Sequence, residues 1–316
     1  MVQAASEGVD VGLADRIAGR EDGLLLFSIT PPRRSTTPED AQRIADVTVE
    51  RLHAIDVDGL ILYDIDDESD RNPSERPFPY LPTKDPAEFY QQHLTGWDKP
   101  VVVYRCVGKY EEGQLSDWLA AQDPDKVLTT FVGASTGEKV RRTDLPTAQK
   151  LWHEVAPQMR LGGVAIPERH STGGVEHSRL VRKQQAGTSF FVTQVVYDTS
   201  AAKSMVSDYF YACEEAGLEP VPVIFTLSVV GSMKTVEFLE WLGVEVPRWV
   251  RNDLEHSPDP LAKSYDQCIL AARELTSYCE QLGIPHGFNV ESVSIRKAEI
   301  EASVRLASHL RTRRLR

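Results

Sequence analysis

The chain has 316 residues, of which 41% are hydrophobic and 26% charged, and its formal net charge is −12 at pH 7. That balance suits a globular protein with a buried core, and the acidic surplus leaves no basic face for nucleic acid. No apolar run approaches the roughly 18 residues that a membrane span requires, and MVQAASEGVD at the N-terminus lacks the pattern of a signal peptide. Four scattered cysteines (Cys106, Cys213, Cys268 and Cys279) form no CxxC pair and read as reduced thiols of a cytoplasmic protein.

Along the chain, short β-rich runs alternate with helical periodicity. LLLFSIT from Leu24 is the first strand, and Pro38 opens a helix whose apolar residues recur at three- and four-residue intervals. GLILYDI from Gly59 follows, then a proline-heavy irregular stretch from Asp64 to Pro86. KPVVVYRCV from Lys99 and KVLTTFVG from Lys126 precede helices at Leu115–Ala121 and Leu145–Val155. LGGVAIPE from Leu161 leads through a loop into a helix carrying Arg179, Arg182 and Lys183, which Gly187 stops. SFFVTQVVY from Ser189 and PVPVIFTLS from Pro220 are followed by helices at Ser200–Ala216 and Ser232–Leu242. Residues 246–260 suggest a short helix leading into a long one at Pro260–Leu282. HGFNVESV from His286 and a helix at Ile295–Leu310 finish the chain.

About eight strands alternating with about eight helices predict a single (β/α)8 barrel domain over residues 1–316, with residues 1–20 and 311–316 as tails. A doubly wound sheet would show a glycine-rich turn after its first strand, where this chain reads TPPRRSTTPED. No GxGxxG, GxxxxGK[ST] or HExxH occurs.

Barrels place their chemistry at the C-terminal ends of the strands. This predicts Glu168, His170 and Gln194 at one mouth, with Asp64 at the end of the second strand. The carboxylates Asp64, Asp66, Asp67, Glu68 and Asp70 lack the glycine and final glutamate of a calcium loop. They read as a solvated acidic loop, and no metal site is assigned. Gln194 puts one amide into an apolar strand and needs partners. Neighbouring backbone could supply them, as could a ligand with an amide edge, such as a pterin or flavin. Arg182 and Lys183 suit either a phosphate or a solvated helix face.

PERH, RKQQAG and VTQVVYD, in this order and spacing, resemble the bacterial methylenetetrahydrofolate reductase family. SMKTVEFLEWLGVEVP, GIPHGFNVESVSIRKAE and FSITPPR extend the resemblance over most of the chain. It implies a (β/α)8 barrel that binds FAD at its mouth, takes hydride from NAD(P)H and reduces methylenetetrahydrofolate. Under it, Gln194 meets the pterin, while Ile166, His170, Arg182 and Lys183 border the flavin. Phe238 and Lys234 line a pocket shared by nicotinamide and folate.

The departures concentrate in the first four strands. Ser28 stands where the family has its first-strand acid, and a serine cannot protonate an amine in that role. Val132, Gly133 and Ala134 replace Arg-Gly-Asp, Val103 replaces a histidine, and Lys234 replaces a glutamine. A substitute acid must come from Asp64, Glu168 or Glu291. Three functions are consistent with this pattern. One is a reductase of a folate-borne one-carbon unit, the second a flavin-free folate-dependent one-carbon transferase, and the third a non-catalytic folate-binding or partner subunit. The expected partner is a small-molecule folate, with a homo-oligomer or a partner protein as further possibilities.

Overall fold

The computed structural model describes residues 12–67, 72, 74–133 and 142–312. Glu68 and Asp70 of the acidic run, Ala134 and the last four residues lie outside the described residues.

Eight parallel strands close into one barrel in chain order. They are Leu24–Ile29 (β1), Gly59–Leu62 (β2), Val101–Cys106 (β3), Val127–Val132 (β4), Leu161–Ala165 (β5), Thr188–Val195 (β6), Val223–Ser228 (β7) and His286–Glu291 (β8). The helices begin with Leu13–Ala18 (α1), Pro38–His53 (α2), Pro86–His93 (α3), Glu112–Ala120 (α4) and Leu145–Val155 (α5). Pro167–Gly173 (α6), Glu176–Gln185 (α7), Thr199–Ala216 (α8) and Met233–Trp241 (α9) follow. Arg248–Glu255 (α10), Pro260–Leu282 (α11) and Lys297–Thr312 (α12) complete the set. The predicted (β/α)8 barrel is therefore the fold.

Local chemistry explains the boundaries. Thr37, Asp85, Asp144, Asp198 and Asp259 accept backbone N–H groups at the starts of α2, α3, α5, α8 and α11. Gly217 ends α8 with φ 66° and Gly283 ends α11 with φ 74°, in the left-handed region that favours glycine.

Strand alternation sorts the side chains. Leu26, Ile61, Val102, Leu128, Phe190 and Ile224 fill the barrel interior. Leu25, Phe27, Leu60, Val103, Phe191, Phe225 and Val290 face the helices. Val103, at the position of the family's third-strand histidine, thus lies in the outer layer. Gly162 has no side chain because Phe190 occupies the space beside it, with ring carbon Cζ 2.5 Å from where a Cβ would stand.

The expected tails are structured where described. α1 covers the N-terminal end of the barrel, burying Leu13 and Ile17 against Leu24 and Leu26. Six residues without a side-chain cap would not hold as an isolated helix; burial of those two side chains supports it. At the same end, Asp58 pairs with Arg16 at 2.5 Å and with Arg311 at 2.8 Å, so α1 and the end of α12 close on one carboxylate. All four cysteines are buried. Among the described residues, no helix is long and apolar enough to cross a membrane.

Candidate functional site

The richest polar arrangement of the barrel interior lies where β8, β1 and β2 meet. Ser28 and Glu291 are register partners across the β1–β8 pair. Ser28 donates its hydroxyl to Asn289 Oδ1 at 2.5 Å. The Asn289 amide nitrogen donates to the Tyr63 hydroxyl and to Thr226 Oγ1, each at 3.2 Å. Tyr63 in turn donates to Glu291 Oε2 at 2.5 Å, and its ring stands edge-on to Tyr104. Ser228, in register with Glu291, keeps a buried hydroxyl without a partner. Burial pushes the Glu291 carboxyl up to about 7, against a smaller opposing pull from the Tyr63 hydrogen bond. At neutral pH this acid is poised between donor and acceptor, which suits proton exchange with a ligand.

Asp64 is built differently. Its carboxylate accepts from the Cys106 amide at 2.8 Å, from the Tyr110 hydroxyl at 2.8 Å and from the Lys109 ammonium. Tyr110 also bonds Asp85, and Asp85 pairs with the buried Arg105 at 2.7 Å. Arg105 lies 4.1 Å from the centre of the Trp118 ring. This network ties the ends of β2 and β3 to the start of α3 through the donors that surround Asp64.

Gln194, near the end of β6, donates to the Leu242 carbonyl at 3.0 Å. Glu168 accepts from the Glu245 amide at 3.3 Å, and its second oxygen is buried without a partner. Burial lifts this carboxyl to about 7 as well. The segment after α9 thus joins Gln194 and Glu168. The irregular stretch after β2 docks on α9 itself. Asn72 donates to the Trp241 carbonyl at 3.1 Å, and Trp241 returns its indole N–H to the Ser74 carbonyl at 2.9 Å. Arg76 sits among Tyr80, Phe238 and Trp241, 5.1–5.5 Å from the ring centres. Phe78 meets Phe238 edge-on, and Lys234 lies 4.9 Å from the Phe78 ring. Phe238 and Lys234, expected in a substrate pocket, both contact Phe78 of this stretch, with Lys234 exposed.

No family model matches the chain, and no curated protein matches it. Among solved structures, it is similar to an uncharacterized protein from Clostridium thermocellum that binds two copies of 5-methyl-5,6,7,8-tetrahydrofolic acid. The TM-score is 0.83, with 39% identity over 95% of this chain and 98% of that one. The chain belongs to the family of that Clostridium thermocellum protein. A 2,3-dimethylmalate lyase of the PEP mutase/isocitrate lyase superfamily aligns over 93% of both chains at 10% identity and TM-score 0.42, too remote to bear on the site.

Against this family membership, the residues that carried the flavin expectation do not converge. His170 is buried, and its Nε2 lies 3.1 Å from Asp208 on α8, outside the barrel wall. Lys183 donates to the Val164 carbonyl, and burial lowers its affinity for a proton. Arg182 is exposed on α7. Ile166, the N-terminal flank of α6, donates its amide to Glu176, a fully buried carboxylate that also pairs with Arg179. These groups do not form a flavin cradle.

Glu168 and His170 part company because Pro167 starts a helix where a loop was expected. Residues two apart on a helix point about 200° apart. Glu168 therefore reaches the segment after α9, and His170 the outer helices. Sequence reading missed Tyr63, Asn289, Tyr104 and Arg76. Asn289 gives the same signal as Gln194, a lone amide in an apolar strand, and Tyr63 follows β2 at an inward position. The placing of Arg76 depends on loop docking and has no counterpart in periodicity.

Proposed function

We propose that the mouth binds a reduced folate without a flavin, and that Glu291 is the acid facing the folate's ring nitrogens. The observation that carries this reading is the register of Ser28 with Glu291. The acid missing from the first strand is supplied by the neighbouring strand, at the same level of the barrel. Similarity to a protein that binds 5-methyl-tetrahydrofolate supports the ligand class. Reduced pterins present amide and amine groups along one edge. Gln194, the unpartnered Ser228 hydroxyl and the Tyr63–Glu291 pair offer matching donors and acceptors.

A neutral carboxyl donates to a tertiary amine, and such an acid can protonate that nitrogen as a carbon substituent leaves it for an acceptor. We favour flavin-free transfer of a one-carbon unit over its reduction because the residues expected around a flavin face different ways. Glu291, raised to about 7 by burial, would supply that proton near neutral pH.

The test is the visible absorption spectrum of the purified protein with and without added FAD, followed by calorimetric titration with 5-methyl-tetrahydrofolate. We expect a colourless protein, no response to FAD and saturable folate binding. A flavin spectrum bleached by NADH and restored by methylenetetrahydrofolate would replace this reading with reduction. Absence of folate binding would end it.

A further inference from the structure

Outside the mouth, three side chains from three consecutive helices meet on the barrel wall. His170 comes from α6, His177 from α7 and Asp208 from α8. One ligating atom from each lies within 4.8 Å of the other two. The His170 Nε2 to Asp208 Oδ2 edge is 3.1 Å, and the two imidazole rings stand edge to face with centres 5.4 Å apart. Only 6% of His170 is exposed, and Nδ1 of each ring is buried without a hydrogen-bond partner. Buried ring nitrogens without partners are costly, and coordination at His177 Nδ1 would satisfy one of them, with His170 ligating through the Nε2 that faces Asp208.

We propose that His170, His177 and Asp208 form a binding site for one divalent cation of the zinc class. Tetrahedral zinc, with bonds of about 2.0–2.2 Å, separates its ligand atoms by roughly 3.3 Å. The His170–Asp208 edge already has that spacing. Asp208 is half-exposed and His177 is in the first turn of α7, so modest side-chain rotation brings in the third ligand. Two imidazoles and a carboxylate suit zinc, nickel or cobalt over magnesium or calcium. The open side by Asp208 leaves a position for water.

The cation would sit behind the mouth and join α6 to α8. Because Glu168 is in the first turn of α6, the site would fix the helix that presents Glu168 to the segment after α9. Its role is to position that helix, and it stands independently of the folate reading.

The test uses the full chain after chelator treatment, titrated with zinc chloride by calorimetry and with cobalt chloride by visible absorption. One equivalent should bind, cobalt should show the intense bands of a tetrahedral site, and zinc should raise the melting temperature. His177→Ala and Asp208→Ala alter partly exposed positions and spare the buried His170. Each should weaken binding by roughly tenfold or more and abolish the zinc-dependent rise in melting temperature. No binding to the wild-type chain, or undiminished binding by both variants, would overturn the proposal.

Discussion

At the β8–β1–β2 seam, polar side chains turn into the barrel and bond one another, as Ser28, Asn289, Tyr63 and Glu291 do. Along the β5–α6–α7 wall, side chains of similar chemistry turn outward or are tied to backbone, as His170 and Lys183 are. The wall carries the residues most like a known family, whereas the seam carries the arrangement able to exchange a proton with a ligand. A likeness in sequence thus does not fix where the side chains of a motif point.

The sharpest way to break this comparison is to exchange the roles of the two acids. Asp64→Ala leaves Lys109 and Tyr110 without their shared partner, and breaking such a buried pair costs about 3–5 kcal/mol. Urea denaturation should show that loss, while the folate affinity of the folded protein stays near wild type. A large fall in affinity with little loss of stability would move Asp64 into the site.

Glu291→Ala should do the reverse. Removing one hydrogen-bonding partner of a buried group costs about 1–3 kcal/mol, so calorimetry should record a loss in 5-methyl-tetrahydrofolate affinity of roughly tenfold or more. Gln194→Ala should lose less, near the roughly 1 kcal/mol of an ordinary hydrogen bond.

The pH dependence sharpens the contrast further. The Glu291 carboxyl is raised in the fold from 4.5 to about 7. Between those values the folded state holds a proton that the unfolded state has released, so stability falls as pH rises through this window and levels off above it. Glu168 titrates in the same window and contributes in the same direction. Glu291→Gln should flatten part of this slope in denaturation curves taken from pH 5 to 8. It should also remove the weakening of folate binding expected above about pH 7, because its amide still donates. The smallest effect expected is that of Arg76→Ala. Loss of the cation–π contacts, about 0.5–2 kcal/mol in all, should loosen the packing of Arg76 against α9 and shift tryptophan fluorescence without unfolding the barrel.

Much of this was legible in the sequence. The eight β-rich runs and their spacing gave the barrel, since strand alternation and helix periodicity are local properties. Gln194 was legible as one amide in an apolar strand, and Glu291 as one of three candidate acids beside Asp64 and Glu168. The burial of α1 was not legible, because Leu13 and Ile17 are held by strands that the local pattern does not place beneath them. Nor was the orientation of PERH, where one proline decides between a loop and a helix and so reverses where Glu168 and His170 point. The register of Ser28 with Glu291 depends on closure of the first strand against the last, a contact 263 residues away in the chain.

The most direct measurement is a pair of calorimetric titrations, with 5-methyl-tetrahydrofolate added to the wild-type protein and to Glu291→Ala under the same flavin-free conditions. Saturable binding by the wild type, weakened roughly tenfold or more in the variant, is the result expected of a folate mouth centred on the β8–β1–β2 seam. Equal binding by both proteins, or none by either, would contradict it.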